Sequence, residues 1–264
     1  MKKRRRFRKL IPNLYLIVIL ILLYLPTFVV VLYSFNEQKD GLVWTEFTTK
    51  WYKELWQNRQ IIEAMKNSLI VAVSSCLIAA VIGTLGAVAL ARRKLKRDGI
   101  LETVSSIPIM LPEIVLGLAF LVTFSLIGLE RGLTALILAH STFCIPYVLI
   151  LVRTRLTGLD PSYEEAARDL GASPLRALFT IILPLIAPAI LSGVFLAFAM
   201  SLDDFVISFF VSGAQSTTYP VYVYGRVKTS VPPTVNAMCT IMLGVTLIAV
   251  ALSQLFKGKN DRHA

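Results

Sequence analysis

Charge is what this sequence has least of. Only 16% of its 264 residues are charged and 56% are hydrophobic. Soluble domains carry about 25% charged and roughly 45–50% apolar residues. Mean hydropathy is +0.70. That excludes a soluble nucleic-acid-binding domain, which needs a polar surface, even though the net charge is +11. Histidine is nearly absent as well. His140 and His263 are the only two, which argues against a zinc or haem site built on clustered histidines. Cys76, Cys144 and Cys239 stand singly in apolar runs, with no CxxC and no disulfide framework. No G-x-x-x-x-G-K-[ST] occurs, so the chain cannot cradle ATP phosphates by that route. An enzyme inside the membrane would need a nucleophile–base pair or a metal cluster, and His140 alone makes neither. The expectation is no catalytic residue, no metal and no cofactor on this chain.

What the sequence has is six long apolar runs, at about 11–34, 68–91, 104–127, 132–152, 186–210 and 236–256. Each approaches or exceeds the ~20 residues needed to cross a ~30 Å hydrocarbon layer. Lipid offers no partner to backbone N–H and C=O groups, so each is predicted to be helical. Continuous runs such as Leu14 to Leu25 exclude the alternating strands of a β-barrel. The predicted fold is all-α and membrane-integral: a basic N-terminus over 1–10, six spans within 11–256 and a tail over 257–264. The first run follows Lys2, Lys3, Arg4, Arg5, Arg6, Arg8 and Lys9. It is too long for a signal-peptide core and lacks an A-x-A-like site, so it reads as an uncleaved anchor. With the N-terminus inside, 19 of the 27 basic residues fall on inner segments, five of them between 92 and 97. That split predicts both termini in the cytoplasm. The outer loop at about 35–67 is aromatic, with Trp44, Phe47, Trp51, Tyr52 and Trp56.

The inner segment 160–184 reads DPSYEEAARDLGASPLRALFTIILP. Asp160 can cap a helix that starts at Pro161. Glu164 and Glu165 sit where the macrodipole favours negative charge. Ala166, Ala167 and Leu170 are expected to form a small apolar face. Gly171 suits a left-handed position after the helix end, and Ser173 can cap a second helix from Pro174. Glu165, Ala166 and Ala167, then Gly171 and Ile181-x-Leu183-Pro184, resemble the EAA signature of ABC-importer permeases. The resemblance implies a type I importer fold in which this hairpin is a coupling helix. Glu165, Ala166, Ala167 and Gly171 would then dock in a groove of a partner ATPase, which would carry the ATP and Mg.

Ionisable residues within spans are functional-site hypotheses by default. Glu113, Asp203 and Asp204 are the three acids, and no Lys or Arg lies within a span to neutralise them. A cationic substrate would meet that demand. Glu113 falls about ten residues into the third run, ~15 Å along a straight helix, just after Pro108 and Pro112, where a kink is expected. Consecutive helical positions diverge by ~100°, so at most one of Asp203 and Asp204 should face a central path. Phe47-Thr48-Thr49-Lys50-Trp51-Tyr52, Pro112-Glu113, Ser201-Leu202-Asp203-Asp204 and Val235-Asn236-Ala237 resemble permeases of the spermidine/putrescine importers. The family usually has Asp at the place of Glu113. The resemblance implies Trp51, Glu113, Ser201, Asp203 and Asp204 along a polyamine path, with Trp51 at the outer mouth. It also implies a bacterial cytoplasmic membrane, an ATPase dimer, a second homologous permease and an extracytoplasmic polyamine-binding protein as partners. Rival readings are the same machine carrying an aminoalkylphosphonate, iron or an anion, an ion-coupled secondary transporter, or a membrane enzyme.

Overall fold

The computed structural model describes residues 2–38, 43–92, 98–228 and 232–260. Its helices in chain order are α1 (Lys2–Tyr33), α2 (Lys50–Gln57), α3 (Arg59–Arg92), α4 (Asp98–Met110), α5 (Glu113–Leu126) and α6 (Leu133–Thr157). There follow α7 (Ser162–Asp169), α8 (Pro174–Ala177), α9 (Leu183–Asp203), α10 (Val206–Val211), α11 (Tyr219–Val227) and α12 (Pro233–Asn260). A π-helical turn, Leu178–Ile182, joins α8 to α9. The chain divides into two compact units, residues 1–62 with 223–264, and residues 63–222.

In the first unit α1 and α2 both pack on α12. The segment between α1 and α2 is pinned by polar contacts of its own. Asn36 pairs with Phe47 in an isolated bridge. Its side-chain amide donates to the Val43 carbonyl at 2.8 Å and accepts from the Thr45 N–H at 3.0 Å. The Trp51 indole N–H donates to the Asn36 carbonyl at 2.6 Å. Lys50 Nζ lies 3.2 Å from the Glu37 carboxylate.

The second unit is centred on α6 and α9. Lipid is as apolar as leucine, so helices associate in it through close packing, and small residues let backbones approach. Val148 of α6 shows this from two sides. A Cβ at Gly83 of α3 would lie 2.9 Å from the Val148 Cβ, and one at Gly193 of α9 would lie 2.9 Å from its Cα. On the other side of the unit α5 packs on α10. There a Cβ at Gly117 would meet the Phe210 ring at 2.7 Å.

The apolar runs map onto helices with two corrections. Among the described residues, four helices are long and apolar enough to cross a membrane: Leu14–Tyr33, Arg59–Ala91, Leu133–Thr157 and Pro174–Asp203. The third run is not one helix. It breaks at Leu111 and Pro112, and Thr103–Met110 and Glu113–Leu126 meet at 108°. Pro112 has no N–H for the Pro108 carbonyl, and the chain turns there instead of kinking. The fifth run also breaks: α9 ends at Asp203 and a separate α10 begins at Val206. The sixth run, 236–256, lies within α12 (Pro233–Asn260). Among the described residues, four runs thus fall on long apolar helices, one on a bent pair and one within α12. Residues 93–97 of the basic inner loop and 261–264 of the tail lie outside the described residues.

Candidate functional site

The hairpin follows the chemistry of its ends. Asp160 Oδ1 accepts the Ser162 N–H at 2.9 Å, and α7 begins at Ser162, one residue later than expected. That bond holds the Asp160 carboxyl below its ordinary value. Gly171 has φ +84°. Around it the Ala172 N–H reaches the Ala167 carbonyl and the Gly171 N–H reaches that of Arg168, the paired bonds of a Schellman end. Ser173 Oγ accepts the Arg176 N–H. The expected apolar face is split. Ala167 is buried, while Ala166 is exposed and Leu170 is 90% exposed. With Tyr163, Leu175 and Phe179 also exposed, the hairpin presents an apolar surface beside Glu165, Ala166 and Gly171.

The two breaks meet at one cavity in the second unit. It has a volume of about 250 Å³, and Glu113 and Asp204 both line it, with Phe143, Tyr147, Pro108 and Leu111. Glu113 is the first residue of α5, and its carboxylate has no hydrogen-bond partner among the described residues. The counted depth of Glu113 along a straight helix does not apply, because the 108° bend intervenes. The last turn of α4 ends on this cavity. Its Pro108 carbonyl lacks its i+4 donor, and a helix C-terminus carries partial negative charge.

Asp204 is built differently. It lies in the gap between α9 and α10, buried. Oδ1 accepts the Ile207 N–H at 3.2 Å and Oδ2 accepts the Ser208 N–H at 2.8 Å. It therefore caps α10 while lining the cavity. Asp203, the last residue of α9, is exposed and is not among the residues lining it. Ser201 is buried behind Asp204, with its Oγ 2.7 Å from His140 Nδ1. Trp51 belongs to the first unit and is only 2% exposed. Lys50 Nζ lies 4.6 Å from its ring centre. Its indole N–H ties α2 to the segment between α1 and α2 through the Asn36 carbonyl.

Sequence reasoning overlooked His140, Ser208, Phe143 and Tyr147. His140 carried one signal: it is a lone histidine in an apolar run of a chain whose other spans hold unpaired acids.

Residues 79–259 match the family described as binding-protein-dependent transport system inner membrane component. The spermidine/putrescine transport system permease protein PotC of Haemophilus influenzae is 40% identical, over 96% of this chain and 99% of its own length. The putrescine transport system permease protein PotI of Escherichia coli is 42% identical, over 86% of this chain and 85% of its own. Among solved structures, a chain of a bacterial ABC transporter that imports the acidic polysaccharide alginate superposes with a TM-score of 0.74 at 16% identity. That match covers 95% of this chain and 97% of that one. A chain of the MetNI methionine ABC transporter gives 0.64 at 18% identity, covering 78% and 97%. These likenesses establish an all-α ABC-permease fold, and the family match and the close relatives give the class: the chain belongs to the inner-membrane components of binding-protein-dependent transport systems, a family of transport subunits.

Proposed function

We propose that this chain is a permease subunit of an ATP-driven importer that moves polyamines such as spermidine and putrescine. One observation carries the reading beyond the family: two carboxylates, Glu113 and Asp204, line a single cavity in a chain with no Lys or Arg within its apolar runs. A polyamine offers ammonium groups separated by alkyl stretches. Carboxylates, the C-terminal end of α4 and the Phe143 and Tyr147 rings suit such a cation, with each aromatic contact contributing roughly 0.5–2 kcal/mol. Contacts of this size, spread over several groups, allow entry and release. Ser201 supports the Asp204 side of the path, Asp203 supplies negative charge at its flank, and Trp51 keeps the outer segment in shape.

The working assembly in this reading has a second homologous permease, an ATPase dimer that holds ATP and Mg, and an extracytoplasmic polyamine-binding protein. This chain binds no cofactor. Both termini face the cytoplasm. The hairpin docks on the ATPase through Glu165, Ala166 and Gly171, with the buried Ala167 packed beneath them. The π-helical turn and α9 connect that surface to Ser201 and Asp204 without an intervening loop, so closure of the ATPase moves the cavity wall. The test is ATP-driven uptake of labelled spermidine into vesicles holding the full assembly. Glu113→Gln and Asp204→Asn are each expected to lower the rate roughly ten-fold or more, the loss of a charged contact. Unchanged uptake at limiting and saturating substrate sinks the reading.

A further inference from the structure

His140 is fully buried in the first third of α6, and both of its ring nitrogens are engaged. Nδ1 lies 2.7 Å from Ser201 Oγ, near the end of α9. Nε2 lies 3.1 Å from Ser208 Oγ, in α10, and 3.4 Å from Asp204 Oδ2, in the gap between the two helices. One ring on a continuous helix therefore touches both sides of a break and the residue within it. A carboxylate only accepts, so the nitrogen facing Asp204 carries the hydrogen. In the neutral ring Nδ1 then accepts from the Ser201 hydroxyl, while the Nε2 hydrogen faces both Ser208 Oγ, the nearer partner, and Asp204 Oδ2. The tautomer follows from the partners, and with it both ring nitrogens meet a complementary group.

We propose that His140 is a positioning residue: by bracing the ends of α9 and α10 and turning Nε2–H toward Asp204, it fixes where the Asp204 carboxylate meets the transported cation. This rests on the reading of Asp204 as part of the polyamine path. The α10 amides hold the Asp204 oxygens from within their own helix, so they orient the carboxylate relative to α10 only. His140 is the contact that ties that orientation to α6 and α9. Substrate does not need to touch it.

The two amide side chains separate the roles of the two nitrogens. In His140→Gln the terminal amide can reach the Nε2 position and donate to Asp204. In His140→Asn it reaches only the Nδ1 position, toward Ser201. Spermidine uptake is measured in vesicles with the full assembly, beside basal ATPase activity and thermal unfolding of the purified complex. His140→Ala and His140→Asn are expected to lower uptake roughly ten-fold, the size of one hydrogen bond to a charged group. His140→Gln should stay within about two- to three-fold of the parent, with basal ATPase activity retained in all three. Adding His140→Ala to Asp204→Asn should cost less than about two-fold more, since residues acting through one another are not additive. If His140→Ala does not assemble, the Gln-against-Asn comparison carries the test.

Equal uptake in the Gln and Asn variants overturns the proposal, and so does full additivity with Asp204→Asn. Normal uptake in His140→Ala with impaired Asp204→Asn overturns the role of His140 alone. Normal uptake in Asp204→Asn overturns the path reading, and His140 falls with it.

Discussion

Asp160 and Asp204 make the same kind of bond in two different solvents. Each accepts backbone N–H groups at the start of a short helix, Asp160 from Ser162 and Asp204 from Ile207 and Ser208. Asp160 stands in water on the hairpin. Asp204 is buried among α5, α6 and α10. Water can replace the lost bond at the first site. At the second an orphaned N–H has no substitute, and leaving a buried donor unsatisfied costs about 1–3 kcal/mol. The same device is thus a local trim on the hairpin and a structural requirement at the break.

The largest expected effect tests that difference directly. Asp204→Ala removes the cap of α10 and the partner of His140, and it should lower unfolding stability by about 3 kcal/mol. Thermal unfolding in detergent, set beside Asp160→Ala, reads it. Equal losses at the two sites would break the comparison. Asp204→Asn sharpens it, because asparagine caps nearly as well as aspartate. That variant should keep most of the stability while losing uptake, which separates capping from charge.

Two glycines extend the contrast. Gly117 of α5 faces α10, where an added Cβ would lie 2.7 Å from the Phe210 ring, 3.4 Å from the Val206 carbonyl oxygen and 3.5 Å from the Ile207 Cα. Gly117→Ala must displace the Phe210 ring, which packs α10 against α5. A destabilisation of about 2 kcal/mol is expected, as for an overpacked core, together with slower uptake. Gly171 on the hairpin has open space around it and only its φ of +84° to satisfy. Gly171→Ala should therefore cost about 1 kcal/mol of local strain, visible as faster amide exchange at Ala172 with global unfolding nearly unchanged. A larger global loss at Gly171 than at Gly117 would invert the picture.

How much of this was legible follows the same division. The hairpin could be read almost residue by residue. Its signals are local and polar: Asp160 before Pro161, Gly171 after a helix end, Ser173 before Pro174. The long helices α1, α3 and α6 were equally plain, because a continuous apolar run has one stable answer in lipid. The break at Pro112 was half legible. A proline predicts disruption, but a bend of 108° depends on what packs around it. The break at Asp204 was invisible as a break. Inside an apolar run, an aspartate that caps a helix and one that binds a substrate look alike. The partner that distinguishes them is on α6, and its bond to Ser201 spans 61 residues. Contacts set by tertiary packing leave no local trace, which is why His140 was set aside while Glu113 and Asp204 were singled out by their charge. Trp51 shows the converse. Its neighbours matched a family pattern, yet its burial depended on Asn36, whose own role becomes visible only when residues 36 and 47 are paired.

The smallest effect is a matter of pH and belongs to Asp160. The Ser162 backbone N–H, then the Ser162 side chain, hold its carboxyl below the ordinary value. The folded state therefore binds this proton more weakly than the unfolded state does. A group depressed in this way contributes its stabilisation above the ordinary carboxylate range, and the contribution is lost as pH falls through the depressed value. Because Asp160 is exposed, the bond is screened by water, and its loss should loosen only the first turn of α7. The Ser162 amide resonance, followed by NMR while the detergent-solubilised protein is acidified, should move with a midpoint below that of an unstructured aspartate. It should be pH-independent over the same range in Asp160→Asn. A midpoint at or above the ordinary value would mean that the capping bond contributes nothing in water, and the contrast with Asp204 would then be one of presence against absence rather than of degree.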